Sequence, residues 1–173
     1  MRKVADRRPS FVPARVTNAQ PSLRSSILLL TPIAVLSPDQ WHEPYMSSDE
    51  LDREIAAGVA FWGYAEHGAL QGVIGLQPVR DVDLIRHAYV LPGMQQRGIG
   101  SRLLQALRNM STKQMLVGTW AAAQWAIRFY ERHGFALVSP PHQTALLTDC
   151  WNIPQRQVET SVVLAHPPYR RTA

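Results

Sequence analysis

The chain holds one cysteine, Cys150, in 173 residues. No intrachain disulfide can form, and thiolate clusters of the kind that hold structural zinc are excluded. A chain without disulfides suits a reducing compartment, so a cytoplasmic location is the expectation. Long apolar runs are missing too. The longest near the start, Ile27-Leu28-Leu29-Leu30, is far short of the about 20 residues that cross a bilayer. It is also shorter than the roughly 7–15 residues of a signal-peptide core, and no small-residue cleavage site follows it. No membrane partner is expected.

Charge is sparse and unevenly placed. Charged residues make up 18% of the chain and hydrophobic residues 46%, the balance of an ordinary globular protein. The net charge of +5 suggests a nucleic-acid partner until it is located. Residues 1–38 carry six basic residues (Arg2, Lys3, Arg7, Arg8, Arg15, Arg24) against one acid, Asp6, which leaves twelve of each sign in the remainder. The excess therefore sits in an arm that also contains Pro9, Pro13 and Pro21. No base-stacking motif accompanies it, so it reads as solvated tail and nucleic acid is not expected as a partner. The domain organisation implied is a basic arm without fixed structure at 1–26, one domain over 27–168, and a tail at 169–173.

Hydrophobic periodicity and turn signals give the elements. A short strand is expected at 27–31, stopped by Pro32. Ser47 with Glu50 three places on is a capping box, and Leu51, Ile55 and Val59 follow at spacing four, which predicts a helix over 48–58. Runs 60–66 and 69–79 read as strands joined at His67-Gly68, and 82–90 as a third. Ile99, Leu103, Leu104 and Leu107 then fall on one helical face, predicting a helix over 98–110. A strand at 115–119, a helix over 120–132 closed by Gly134, one or two helical turns within 144–149, and strands at 135–139 and 157–164 complete the reading. The class is α/β, a mixed domain built on one sheet.

The stretch Val90-Leu91-Pro92-Gly93-Met94-Gln95-Gln96-Arg97-Gly98-Ile99-Gly100-Ser101 carries the chemistry. A strand ends, a turn follows, and a helix begins near Gly98. The first N–H groups of a helix have no internal partners and lie at the positive end of its dipole, a geometry suited to phosphate. Gly98 and Gly100 let an anion approach the backbone, and Arg97 and Arg102 add cationic donors. The nucleoside-triphosphate loop is absent, because no Gly-Lys-Ser/Thr follows. The dinucleotide pattern fails as well, since Leu103 stands where its third glycine belongs. A glycine-rich turn that binds nothing remains open on these residues alone.

The spacing Gln95-x-x-Gly98-x-Gly100 after Val90-x-Pro92 resembles the acetyl-CoA signature of the GNAT N-acetyltransferase family. Ala126-Ile127-Arg128-Phe129-Tyr130-Glu131-Arg132-His133-Gly134-Phe135 resembles a second segment of that family, at the expected interval. His42 to Met46 and Phe61-Trp62-Gly63 are similar to one bacterial branch of it. The resemblance implies a mostly antiparallel sheet flanked by helices, with a V-shaped splay between the fourth and fifth strands. It implies acetyl-CoA as co-substrate, no metal, and a small-molecule or peptide amine as acceptor. A homodimer is compatible with it. By the same resemblance, backbone groups of Tyr89, Val90 and Leu91 pair with the pantetheine arm. Gln95, Gln96, Arg97, Gly98, Ile99, Gly100 and Ser101 hold the diphosphate, and Tyr130 protonates the departing thiolate. His87, three residues before Val90, is the candidate general base, because an ammonium must lose a proton before it attacks. Asp83 and Glu43 are weaker candidates. Trp41, Tyr45, Trp62, Trp120 and Trp125 are candidates for an acceptor pocket.

Two departures stand out. The family's long first helix has no counterpart, since Pro32 and Pro38 interrupt the residues available for it. Ala123 occupies the place where many relatives keep an asparagine that touches the cofactor. These departures keep a second reading alive, a non-catalytic CoA-binding or regulatory module.

Overall fold

A computed structural model describes residues 10–12, 46–67 and 69–169. The expected strand at 27–31, together with Trp41, Glu43 and Tyr45, lies outside the described residues. The elements are β1 (Ser10–Val12), α1 (Ser48–Ala56), β2 (Ala60–Glu66), β3 (Ala69–Val79) and β4 (Val82–Val90). A short 3-10 turn (Pro92–Met94) then leads into α2 (Ile99–Met110) and β5 (Gln114–Trp120). After these come α3 (Gln124–Arg132), β6 (Ala136–Leu137), α4 (Pro140–Cys150), α5 (Gln155–Thr160) and β7 (Ser161–His166). The strands form a mixed, mostly antiparallel sheet in the order β1-β2-β3-β4-β5-β7-β6.

β1 falls inside the stretch read from sequence as an arm without structure. Its three residues pair antiparallel with β2, Ser10 opposite Ala65 and Val12 opposite Gly63. The β4–β5 ladder is parallel and short. It runs from Val82–Gln114 to Ile85–Val117, although β4 continues to Val90 and β5 to Trp120. On its other side β5 stays paired with β7 as far as Trp120–Ser161. This short ladder joins the two strands between which the family resemblance implies a splay.

By internal contacts the chain separates into two compact units. The first runs as far as Gly75 and resumes over His87–Gln105. The second takes Leu76–Arg86 and everything from Ala106 onward. In the first unit, Leu51, Phe61 and Val73 are fully buried and form a core with Met46, Val59 and Leu70. The capping box at its α1 is formed in both directions: Glu50 N–H donates to Ser47 Oγ at 3.2 Å, and Ser47 N–H donates to Glu50 Oε2 at 2.7 Å. In the second unit, Leu84, Leu116, Leu147 and Val163 make the core.

Three expectations are corrected at the C-terminal end. Residues 120–123 are not helical. Trp120 completes β5, Ala121 N–H donates to Thr160 C=O at 2.9 Å, and α3 begins only at Gln124. The strand expected at 135–139 shrinks to Ala136–Leu137, because Ser139 is the N-cap of α4 and Pro140 opens it. A proline there loses nothing, since the first helical N–H groups have no partner anyway. The strand expected at 157–164 is shifted. Gln155–Thr160 is a helix, held in part by Gln155 Nε2 donating to Glu159 Oε1 at 3.2 Å, and the strand starts at Ser161.

Candidate acyl-CoA site

The site expected from the loop belongs wholly to the first unit. At the end of β4, Leu91 N–H donates to Gln71 C=O of β3 at 2.9 Å, and Leu91 C=O accepts from Met94 N–H at 2.8 Å. Both backbone groups of Leu91 are therefore engaged within the protein. Tyr89 is half-buried against the first core, and Val90 is buried. The loop then turns through two left-handed residues, Gln96 (φ 60°) and Gly98 (φ 77°). Among the described residues, a Cβ added at Gly98 would meet nothing within 4 Å. The first bond of α2 runs from Arg102 N–H to Gly98 C=O at 3.0 Å. Among the described residues, the N–H groups of Gln96, Arg97, Gly98, Ile99 and Gly100 meet no backbone carbonyl. These are successive amides without a backbone partner beside the positive end of a twelve-residue helix.

Close packing fixes where that helix begins. Ile99 and Leu103 are buried on α2, and they lie against Gly72 of β3. A Cβ at Gly72 would stand 3.0 Å from Ile99 Cγ2, 3.0 Å from Tyr89 C=O and 3.2 Å from Leu103 Cδ1. A side chain at this position would make the helix start or the Tyr89 carbonyl give by a few tenths of an ångström. Sequence reasoning missed Gly72, although a glycine inside a strand is itself a sign of close approach. Gln95 reaches back from the loop, its Nε2 3.5 Å from Val90 C=O, a weak contact at best. Arg97 is exposed and faces solvent. Arg102 is not a free donor: its Nη1 donates to Tyr64 Oη at 3.1 Å, and its guanidinium lies 5.7 Å from the Tyr64 ring centroid.

A family model described as an acetyltransferase (GNAT) domain matches residues 28–148. This chain belongs to the GNAT acetyltransferase family. Solved structures agree on the fold. A GNAT acetyltransferase from Elizabethkingia anophelis with acetyl-CoA bound is 19% identical, with TM-score 0.60 over 90% of this chain and 95% of that one. The ribosomal-protein-S18-alanine N-acetyltransferase of Escherichia coli is 14% identical, with TM-score 0.62 over 95% and 97%. A Bacillus cereus protein described as an IAA acetyltransferase is 20% identical, with TM-score 0.59 over 90% and 98%. Among curated sequences, the SEC31 homolog B transport protein of Arabidopsis thaliana is 50% identical over 40 residues, 23% of this chain. The chain spans only 4% of that protein's length, and nothing about function follows from it.

The remaining candidates of this GNAT domain are distributed as follows. In the first unit, His87 is a strand residue with φ 50°. Its Nε2 lies 3.0 Å from Glu54 Oε2 of α1, yet no aligned hydrogen bond forms and the nitrogen is shielded from water. The two groups are in ion-pair range without the alignment a hydrogen bond requires. Trp62, also in this unit, is half-buried on β2.

In the second unit, Tyr130 of α3 is buried, with its ring edge-on to Phe129 at 5.1 Å and to Phe135 at 5.5 Å between centroids. Burial pushes its phenol well above the ordinary tyrosine range, so it holds its proton throughout neutral pH. Asp83 is buried at the start of β4 and accepts from Ser111 Oγ at 2.6 Å, which spends it on structure. Ala123 is the N-cap of α3 and offers no side-chain cap. Trp125 is exposed and Trp120 half-buried. Among the described residues, no group of three or more His, Cys, Asp or Glu is arranged to hold a metal ion, and no helix is long and apolar enough to cross a membrane.

Proposed function

We propose that this GNAT domain transfers the acetyl group of acetyl-CoA to a primary amine of a small molecule or peptide by direct attack. The observation that carries the reading is the run of amides from Gln96 to Gly100 that meet no backbone carbonyl among the described residues, in a loop turned by two left-handed residues. A diphosphate matches that cradle in charge and in hydrogen-bond demand. The thioester supplies an activated acetyl carbon, and the chain supplies position and proton handling. Gln95 and Ser101 flank the cradle, and Arg97 adds a positive charge at its mouth. Tyr89 and Val90 offer the strand backbone that lines the pantetheine arm. Leu91 contributes by packing, because its own amide is already bonded.

Proton handling is assigned to two side chains. His87 accepts the proton that an ammonium must lose before its nitrogen can attack. Tyr130, kept protonated by burial, is the donor to the departing sulfur. A phenol raised this far gives its proton less readily than an ordinary tyrosine, so it acts as thiolate charge develops on the sulfur rather than before.

A second reading, a CoA-binding module without turnover, is favoured by the bare N-cap at Ala123. One substitution separates the two. Tyr130→Phe keeps the ring packing and removes only the hydroxyl. For an enzyme, turnover falls by about 100-fold, while the acetyl-CoA melting shift is retained. Equal rates before and after the substitution remove Tyr130 from the chemistry. A protein whose melting temperature is unmoved by saturating acetyl-CoA removes the site itself.

A further inference from the structure

We infer that Glu54 is a positioning residue for His87, and that the pair forms the end of the acceptor site that receives a protonated amine. The inference deepens the reading above and rests on it. Three observations converge on the pair. His87 adopts φ 50° in the middle of β4, a left-handed conformation unusual for any residue but glycine. Such strain persists only where surroundings enforce it, and it re-aims a side chain out of the regular alternation of a strand. The residue also lies just past Ile85, the last position of the β4–β5 ladder. Finally, Nε2 is shielded from water, 3.0 Å from Glu54 Oε2, and without an aligned hydrogen bond. A buried polar atom left in that state calls for an explanation, and a functional role is one of the few available.

The chemistry follows from what each group can donate. A carboxylate only accepts, so its presence beside Nε2 favours the tautomer with hydrogen on that nitrogen and leaves the lone pair on Nδ1. Nδ1 is then the base. When it takes a proton, the ring becomes cationic beside the Glu54 carboxylate, and a misaligned contact becomes a charge-assisted one. Apo geometry of this kind tightens in the reacting complex. Among the described residues, the ring lies near Glu54 from α1, Tyr89 along its own strand at 6.2 Å between centroids, and the apolar Phe61 from β2 at 5.7 Å. Phe61 is fully buried, so the ring is backed by hydrocarbon where a carboxylate acts strongly. A net negative partner at this end also selects a cationic acceptor over a neutral alcohol.

The step balances. The ammonium gives one proton to His87 Nδ1, and the freed lone pair forms a C–N bond to the acetyl carbon as the C–S bond breaks. The nitrogen's second proton balances the one taken up by the departing sulfur, and the proton on His87 leaves to water. The products are a neutral amide, a thiol and one released proton.

The test is a two-residue cycle read by thiol release from acetyl-CoA. The probes are n-butylamine, phenethylamine, spermidine and an alanine-initiated tripeptide, with 3-phenylpropanol as the neutral control. Glu54→Gln is expected to lower kcat with amines about tenfold or more. The acetyl-CoA KM stays within about twofold. Glu54→Asp, which keeps the charge, recovers part of the loss. His87→Gly suits the left-handed backbone and so folds; its rate falls about 100-fold, and added imidazole restores part of it. In the double variant Glu54→Gln adds no further loss, because the residue it positions is gone. Losses that multiply in the double variant, or an unchanged kcat in Glu54→Gln, overturn the proposal. If none of the amines turns over while acetyl-CoA still raises the melting temperature, the pair and the amine reading both fall and the cofactor site stands. If acetyl-CoA gives no melting shift, the underlying reading fails first.

Discussion

The loop at the start of α2 and the segment that follows α3 treat their hydrogen bonds in opposite ways. In the first unit, among the described residues, the amides of Gln96 to Gly100 find no backbone carbonyl and a Cβ at Gly98 would meet nothing within 4 Å. In the second, the carbonyls of the turn after α3 are paired by side chains. Arg108 Nη1 donates to His133 C=O at 3.1 Å, and Arg108 Nη2 lies 3.0 Å from His166 Nε2. Arginine has no acceptor, so His166 Nε2 must accept, and its Nδ1–H donates to Gly134 C=O at 2.8 Å. Gly134 itself turns left-handed at φ 83° beside that imidazole. One glycine turn is saturated and the other is left open. Both use a positive φ, yet only the open one has donors to offer a ligand. A glycine motif alone does not announce binding; the fate of the neighbouring amides decides it.

That contrast can be broken by four measurements. The largest effect is expected from Gly98→Val, where a branched side chain at φ 77° costs about 1–3 kcal/mol. Nothing packs on Gly98, so the loop relaxes instead of unfolding the domain. Acetyl-CoA affinity by calorimetry falls about tenfold or more, with little change in melting. Arg108→Met should do the reverse. It removes two bonds from a charged donor and strands two acceptors, costing about 2 kcal/mol of stability in urea titration with cofactor affinity unchanged. If Gly98→Val lowered stability as much as Arg108→Met, the division between an open and a closed turn would be wrong.

The next effect is a matter of pH. Burial raises the Tyr130 phenol in the folded state, so above about pH 10 the unfolded chain releases this proton and the folded chain does not. Stability from this group is complete below that point and is lost as pH rises toward the folded value, by at most about 1.4 kcal/mol per pH unit. Tyr130→Phe removes that part of the alkaline loss; a urea titration at pH 9 and pH 11 on both proteins checks it. The smallest effect belongs to Gln71, whose buried Oε1 meets no partner. Gln71→Met keeps the volume and should stabilise the fold by about 1 kcal/mol in thermal melts. A loss of stability instead would mean that the oxygen is satisfied in solution.

Much of the first unit was legible because its signals are local. The capping box at Ser47 and Glu50, the hairpin turn at His67, the strands around it and the apolar stripe Ile99-Leu103-Leu104-Leu107 depend on spacing within one element. The C-terminal end was harder, because its boundaries depend on partners. Trp120 suits a helix or a strand by composition, and pairing with Ser161 makes it strand. Residues 157–160 look extended until Pro154 and the Gln155–Glu159 contact turn them into helix. The cradle's glycines were readable, while Gly72, which seats the helix behind them, carried no motif.

By itself the sequence determined the order of elements from α1 through α2, the family, and the loop with left-handed glycine capacity next to an α2 N-terminus, because short-range sterics and periodicity act along the chain. Tertiary structure alone decided which donors stay unspent. It bonded Leu91 to Gln71, committed Arg102 to Tyr64, tied Asp83 to Ser111 and brought Glu54 within reach of His87. Hydrogen bonding between residues distant in sequence depends on where packing brings them, and no spacing rule along the chain encodes that distance.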